Sequence, residues 1–350
     1  MGAPRGARAR LLRRRRAHRL SHYFKQSLEA LNRGSSLLLE RAVSQKVRDS
    51  YRQHVERFQK FFGHTDLENQ TDEDVDHGLV RYFEHLFFRG EQATVGLKIL
   101  AGLMHLFPAF GRMGGRHIPL AWRGLKGWRI MTPGRSRRPE TLGLWAGVAN
   151  ALCHMNQMLM GFFVMLSVST YDRPSSLLAL TRAGIIEPGK TRHRCFSLLL
   201  HPEELKVPSK TMDFDVSILL DSPYLQWAGP ILSSLRQQAR DPVWGFDYWT
   251  YLKHFRAVAT RLNIKIDPYQ TRHSGASIDR EARWRSLPEV KQRGAWKTDK
   301  SVARYDKHAR VGHSAQSYPP LLATYFDQCE ACLADIFLRG RLVPLPVVSR

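Results

Sequence analysis

Cysteine is scarce in this chain: four in 350 residues, at 153, 195, 329 and 332. That is too few for a disulfide scaffold and fits a reducing compartment. Cys329-Glu-Ala-Cys332 has no second Cys or His pair at zinc spacing, and the flanking LLATYFDQCEACLADIFL is amphipathic, so the pair reads as packing. Long apolar runs are missing too. The longest, MLMGFFVMLSV at 158–168, is about half of what a bilayer span needs and reads as a buried core helix. There is no signal-peptide pattern. No G-x-x-x-x-G-K-[ST], H-E-x-x-H or G-x-S-x-G appears, so the common nucleotide, zinc and hydrolase signatures are absent and no cofactor is called for. Negative charge is in deficit: 31 Asp and Glu face 54 Lys and Arg, a formal charge of +23.

A surplus of that size spreads over much of the surface, and a polyanion relieves its self-repulsion. Nucleic acid is the first candidate partner; an anionic membrane or an acidic protein is the second. With 43% hydrophobic and 10% aromatic residues the chain is globular, and it is long enough for two domains. The segment RGARARLLRRRRAHR at 5–19 precedes the first acidic residue, Glu29. It suits a nuclear localisation signal, a DNA-binding arm or an organelle transit peptide, and its low Ser and Thr content weighs against the last.

Helical spacing organises the first half. VSQKVRDSYRQHVERFQKFF carries Val43, Val47, Tyr51, Val55, Phe58 and Phe62 on one stripe. Thr71 with Asp74 forms a capping box before DEDVDHGLVRYFEHLFF, and ATVGLKILAGLMHLF is stopped by Pro108. PLAWRGLKGW sets Arg123, Lys126 and Arg129 among Trp122, Leu125 and Trp128, a helix with a basic face. TPGRSRRP at 132–139, with Arg135, Arg137 and Arg138, is a basic linker without periodicity. The organisation is then a basic arm (1–36), a helical domain (37–131), the linker (132–139) and a second domain (140–350). In that second domain CFSLLLHP and DFDVSILLD read as strands joined through a bend near Lys210, with Phe214 in the second strand. The fold class is mainly α with a small antiparallel β-sheet.

Single residues of the second domain are unremarkable taken alone. Arg173 precedes Pro174 at a helix start; Lys210 sits in the bend; Arg272 and His273 open a helix after Asp267-Pro268; Trp296 is followed nine residues on by Tyr305. Their order and spacing are more informative. An Arg, a Lys on a hairpin, Y-x-x-R-H, G-x-[H/W] about 24 residues later and then a Tyr resemble the tyrosine recombinase (phage integrase) family over essentially the whole chain. The wording of PSKTMDFDVSILLD, YQTRHSGAS and RGAWKTDKSVARYDKHAR is most similar to eukaryotic, Crypton-like transposon recombinases.

The resemblance implies a helical core-binding domain ahead of a mixed α/β catalytic domain. It also implies a site-specific DNA recombinase that works through a 3′-phosphotyrosyl link without metal or ATP. Tyr305 would be the nucleophile, Arg173 and Arg272 the phosphate clamp, Trp296 an indole N–H donor and Lys210 the general acid, with Lys206 its competitor. Arg123, Lys126, Arg129, Arg135, Arg137 and Arg138 would contact the backbone of double-stranded DNA, and the C-terminal helix near 316–338 would pack on a neighbouring protomer of a tetramer on paired sites. The protein would be nuclear if eukaryotic, with neither a membrane nor a small-molecule substrate.

Two positions depart from the family pattern. Tyr269 stands where a His or Lys is usual, and Ser176 stands where an acidic residue often orients the first Arg. They keep a catalytically inactive, recombinase-derived DNA-binding protein in view, beside a type IB topoisomerase-like strand-passing enzyme and a plain helical scaffold. His273 reads as a packing or positioning residue. His308 reads as a neighbour of the site. TDKSVARYDKH, capped at Thr298 or Asp299, puts Tyr305 on a short helix.

Overall fold

The computed structural model describes residues 25–27, 36–134, 137–189, 194–238, 240–303, 305 and 307–347; the chain divides into two units between Arg135 and Ser136. The first unit holds helices α1 (Leu37–Arg41), α2 (Gln45–Phe62), α3 (Asp72–Phe88), α4 (Ala93–Leu106) and α5 (Pro119–Met131). The α2 stripe buries Val55 and Phe58, whereas Val47 stays partly exposed. Thr71 caps α3: its hydroxyl accepts from the Asp74 N–H at 3.1 Å and donates to the Asp74 carboxylate at 2.6 Å. Asp76 of α3 is buried and accepts from the N–H groups of Leu120 (2.8 Å) and Ala121 (2.7 Å), capping the start of α5 from another helix. On α5, Leu125 and Trp128 enter the core, while Trp122 lies exposed with Arg123, Lys126 and Arg129.

The second unit is built on α6 (Leu142–His154) and α7 (Met158–Thr170). The 158–168 run lies on α7, buried from Met160 through Thr170, as a helix apolar on every side must be. α8 (Pro174–Leu178) follows, then a three-stranded antiparallel sheet in the order β1 (Ile185–Ile186), β2 (Ser197–Leu200), β3 (Val216–Leu219). The register pairs Leu198 with Ile185 on one side and with Ile218 on the other. β1 has two residues and no period to read, which is why the sequence does not announce it. Phe214, expected in the last strand, lies before it and is 41% exposed.

Helices α9 (Gly229–Gln237), α10 (Tyr248–Arg261), α11 (Gln270–Glu281), α12 (Leu287–Arg293), α13 (Asp299–Val302), α14 (His308–Ser317), α15 (Pro320–Ala331) and α16 (Leu333–Arg339) complete the unit. The expected C-terminal helix is thus two helices that part at Cys332. Its apolar residues, among them Leu322, Phe326, Cys329 and Phe337, are buried in the core of their own unit, while Leu321 and Leu338 stay exposed. Cys329 is a free, buried thiol, and burial pushes its pKa up to about 12. Among the described residues no helix is long and apolar enough to cross a membrane, and no group of three or more potential metal ligands gathers.

α11 approaches α7 through Gly275. A methyl there would stand 1.9 Å from the Val168 carbonyl oxygen and 2.7 Å from the Tyr171 ring. Backbone cannot yield as a side-chain end can, so the helices would have to separate. Gly275→Ala is therefore expected to lower stability by about 2 kcal/mol despite alanine's better helix propensity. Chemical denaturation with equal m-values for the two proteins checks this, and an unchanged midpoint would contradict the close approach.

Candidate active site

α11 carries the sequence QTRHSGASIDRE, which by polarity should face water, yet every residue from Gln270 to Asp279 is buried. Buried polar groups require partners, and here the partners tie distant segments to one helix. The Ser274 hydroxyl accepts from the Glu140 N–H at 2.8 Å. Gln270 donates to the Arg138 carbonyl at 2.9 Å. The Ser277 hydroxyl donates to the Tyr305 carbonyl at 2.6 Å, which fixes the backbone that carries Tyr305. Asp279 accepts from the Tyr171 hydroxyl and from Arg285.

Arg272 lies at the centre, 2% exposed. One terminal nitrogen donates to the Tyr171 carbonyl and the other to the Gly294 carbonyl at 2.7 Å, and Asp172 is 4.0 Å away. Its Nε has no partner among the described residues. The guanidinium carbon stands 4.4 Å from the centre of the Trp296 ring and 5.7 Å from that of Tyr305. Burial and the neighbouring Arg173 pull its pKa down, against Tyr269, Asp172 and Tyr305; an arginine stays cationic regardless. Tyr171, which offers the carbonyl, is held at a φ of +55° and stacks on Trp296 with 6.3 Å between centroids.

Tyr305 does not lie on the predicted short helix. Thr298 caps α13, its hydroxyl accepting from the Ser301 N–H at 3.2 Å, but the helix ends at Val302. Tyr305 follows in the connection to α14, its N–H donating to the Val302 carbonyl at 2.8 Å. The ring packs between Trp296, at 4.4 Å, and His273, at 4.3 Å. The Tyr305 hydroxyl and the Trp296 indole N–H have no hydrogen-bond partner among the described residues. His308 opens α14 and acts electrostatically on Glu281.

Burial, with Lys307, Arg137 and Arg272 nearby, pushes the His273 pKa from 6.5 down to about 4. A histidine depressed in the folded state contributes stability above its unfolded pKa, and that contribution is lost as pH falls towards the folded value. The expected loss between pH 6.5 and pH 4 is about 3 kcal/mol. Denaturation midpoints measured across that window for the native chain and for His273→Phe would check it; parallel pH profiles would refute it.

A small pocket opens beside Arg272, lined by Arg173, Asp172, His201, Ser209, Thr211 and Arg272 among others. Arg173 is the N-cap of α8, with Pro174 in the first turn, and its guanidinium has no hydrogen-bond or ion-pair partner among the described residues. Ser176 is buried one turn on. The carboxylate beside Arg173 is instead Asp172, which accepts Arg173's backbone N–H at 2.7 Å and whose pKa burial raises. Lys210 is exposed at the turn between two pocket-lining residues, Ser209 and Thr211. Lys206 is exposed where a short helical turn ends, at a φ of +55°. Lys297 ties the hairpin to the Trp296 loop, donating to the Thr211 carbonyl at 2.9 Å with Asp213 at 3.4 Å.

Tyr269 is the N-cap of α11, its ring covered by Arg137 at 4.7 Å. Arg137 also pairs with Asp267 at 3.2 Å. Arg135 lies outside the described residues. Sequence reasoning missed Asp172, His201 and Lys297. The only sequence signal for Asp172 and Lys297 was adjacency to Arg173 and Trp296.

The mainly helical architecture with its small three-stranded antiparallel sheet is the fold of the tyrosine recombinases, and the chain has that fold. It is similar to a lambda integrase dimer bound to a COC′ core site, at 15% identity and a TM-score of 0.54 over 83% of this chain and 81% of that one. A lambda integrase tetramer bound to a Holliday junction matches at 13% identity and a TM-score of 0.53, over 83% and 77%. XerH site-specific recombinase, in a post-cleavage complex with a palindromic difH substrate, matches at 13% and 0.50, over 77% and 79%. No sequence-family model and no curated protein matches the chain.

Proposed function

We propose that the chain is a DNA strand transferase that cuts and rejoins double-stranded DNA at specific sites through a 3′-phosphotyrosyl intermediate. The observation that carries this reading is the meeting of Arg272, Trp296 and Tyr305 within 4.4–5.7 Å, next to a pocket shared by Arg173 and Arg272. The fold, shared with recombinases bound to DNA, supports it.

A phenol with a pKa of about 10 needs an electropositive site before it can act as a nucleophile at neutral pH. Arg173 and Arg272 supply that charge and hydrogen-bond the non-bridging oxygens of the phosphate, stabilising its extra negative charge in the transition state. Trp296 packs against Arg272 and carries an N–H for the same phosphate. The departing 5′-oxygen needs a proton, and the β2–β3 hairpin is the element that brings one, with Lys210 at its turn as the group singled out by sequence. Tyr269 is a poor base, and its phenol serves as a hydrogen-bonding group. The phosphotyrosyl bond conserves the energy of the one it replaces, so rejoining needs no nucleotide. Arg123, Lys126 and Arg129 on the exposed face of α5, with Arg137 and Arg138, contribute phosphate contacts without sequence information. The chain works as an oligomer on paired sites, as the dimer and tetramer among its structural neighbours suggest.

A duplex pool nicked near randomised cleavage positions, so that rejoining is blocked, tests the reading. The wild-type chain, without added metal or ATP, is expected to leave a covalent protein–DNA band on a denaturing gel. Salt-sensitive binding without such a band would favour the inactive DNA-binding descendant. Covalent chemistry on a single site, with no requirement for a second, would favour the strand-passing enzyme.

A further inference from the structure

Tyr171 closes α7 as its C-cap, and no role attaches to it from sequence. It is buried, and its backbone lies in the left-handed region with a φ of +55°. Glycine is the usual residue at such a helix end; a bulky aromatic keeps that conformation only where its surroundings impose it, and residues so held gather at functional sites. Three parts of this one residue reach three parts of the site. Its carbonyl accepts from Arg272. Its ring stacks on Trp296, with 6.3 Å between centroids and 25° between planes. Its hydroxyl donates to Asp279, about two turns along α11 from Arg272. Tyr171 and Trp296 belong to a small apolar cluster of their own, apart from the main core, and Tyr305 packs at its edge.

A charged network stands behind that residue. Burial, and after it the Asp279 carboxylate, push the Tyr171 phenol pKa far above its usual value, so the hydroxyl stays protonated and donates. Arg285 donates to the same Asp279 oxygen and also pairs with Asp221, which accepts from Arg293 at 3.0 Å. Arg293 donates to the Ser169 carbonyl at 2.7 Å and to the Ser169 hydroxyl at 3.2 Å, and its guanidinium carbon lies 5.5 Å from the centre of the Tyr171 ring. Gly294, the next residue, offers the second carbonyl that holds Arg272. One network therefore fixes both acceptors of the Arg272 cradle, and a buried polar network tied in this way is rigid.

We infer that Tyr171 is a positioning residue of the strand-transfer site, and that its hydroxyl bond to Asp279 holds Arg272 and Trp296 in their working geometry. The inference rests on the strand-transfer reading above. Tyr171 acts through its carbonyl and its ring, not on the phosphate. Without the hydroxyl bond, packing alone opposes relaxation of the left-handed turn towards an ordinary backbone conformation. Such a relaxation carries the carbonyl away from Arg272 and lets the guanidinium shift against Trp296. A catalytic group displaced by about 1 Å can lose about 10²-fold in rate.

Tyr171→Phe tests this, because it removes the hydroxyl bond and keeps the ring. The cleavage site is first read from the wild-type adduct, and a nicked duplex of that sequence is then used throughout. Single-turnover adduct formation at saturating duplex is expected to slow about 10-fold or more, with duplex affinity unchanged. In a chain already carrying Arg272→Lys, the same change should cost less than about threefold, because the cradle it serves is gone. Tyr325→Phe is the control. That hydroxyl is buried in the main core, where it donates to the Gly147 carbonyl at 2.8 Å, so its loss should lower the thermal midpoint without slowing the adduct. A wild-type rate in Tyr171→Phe, a loss of affinity in place of rate, fully additive losses with Arg272→Lys, or equal slowing by Tyr325→Phe would overturn the assignment. If the wild-type chain forms no adduct on any duplex, the strand-transfer reading itself falls, and this inference with it.

Discussion

Replacing Tyr305 by Phe is expected to abolish the covalent protein–DNA band while leaving duplex binding and folding intact. The substitution removes one oxygen, and no other group of the site is offered as the nucleophile. The Tyr305 hydroxyl has no partner among the described residues, so its removal strands no buried donor or acceptor. The ring contacts to Trp296 and His273, at 4.4 and 4.3 Å, are made by atoms that phenylalanine keeps. Stability should therefore stay within about 0.5 kcal/mol of wild type. A denaturing gel read beside a native binding assay and a thermal melt separates the three quantities. A covalent band surviving in Tyr305→Phe would move the nucleophile elsewhere and remove the main support for the proposed chemistry.

Arg272→Lys is expected to slow adduct formation by about 10³-fold, or ~4 kcal/mol of transition-state stabilisation, although it preserves the charge. The guanidinium does several things that an ammonium cannot do together. It spans the Tyr171 and Gly294 carbonyls, lies flat on Trp296 and keeps its Nε free of other partners. A lysine reaches one carbonyl or a phosphate as a point charge and leaves the rest of the cradle unpaired. Single-turnover rates at saturating DNA measure the loss; a rate within tenfold of wild type would show that charge alone suffices at this position. Asp172 adds a further effect at 4.0 Å, because with a shorter, flexible cation it would face the incoming phosphate with its charge less well offset.

The sequence by itself determined which chemistry was worth looking for. Arg173, Lys210, Arg272, Trp296 and Tyr305 are legible because their order and gaps are a one-dimensional pattern. The helices of the first unit are legible because amphipathic spacing is local: Val55 and Phe58 sit in the core, and Thr71 caps its helix, as their spacing predicts. The two hairpin strands show for the same reason, and the two-residue β1 does not because a period needs several residues to appear.

Tertiary structure decided what no local pattern encodes. The polar run of α11 is buried only because Gly275 lets α7 approach and because groups from Glu140, Arg138, Tyr171 and Tyr305 come to satisfy it. The predicted helix around Tyr305 ends at Val302, and the segment from 320 onward divides into two helices at Cys332 whose buried residues join the core of the second unit. His201 and Asp172 enter the pocket through the closure of a hairpin and the turn after α7. Long-range pairing of that kind depends on which surfaces meet, and no spacing along the chain records it.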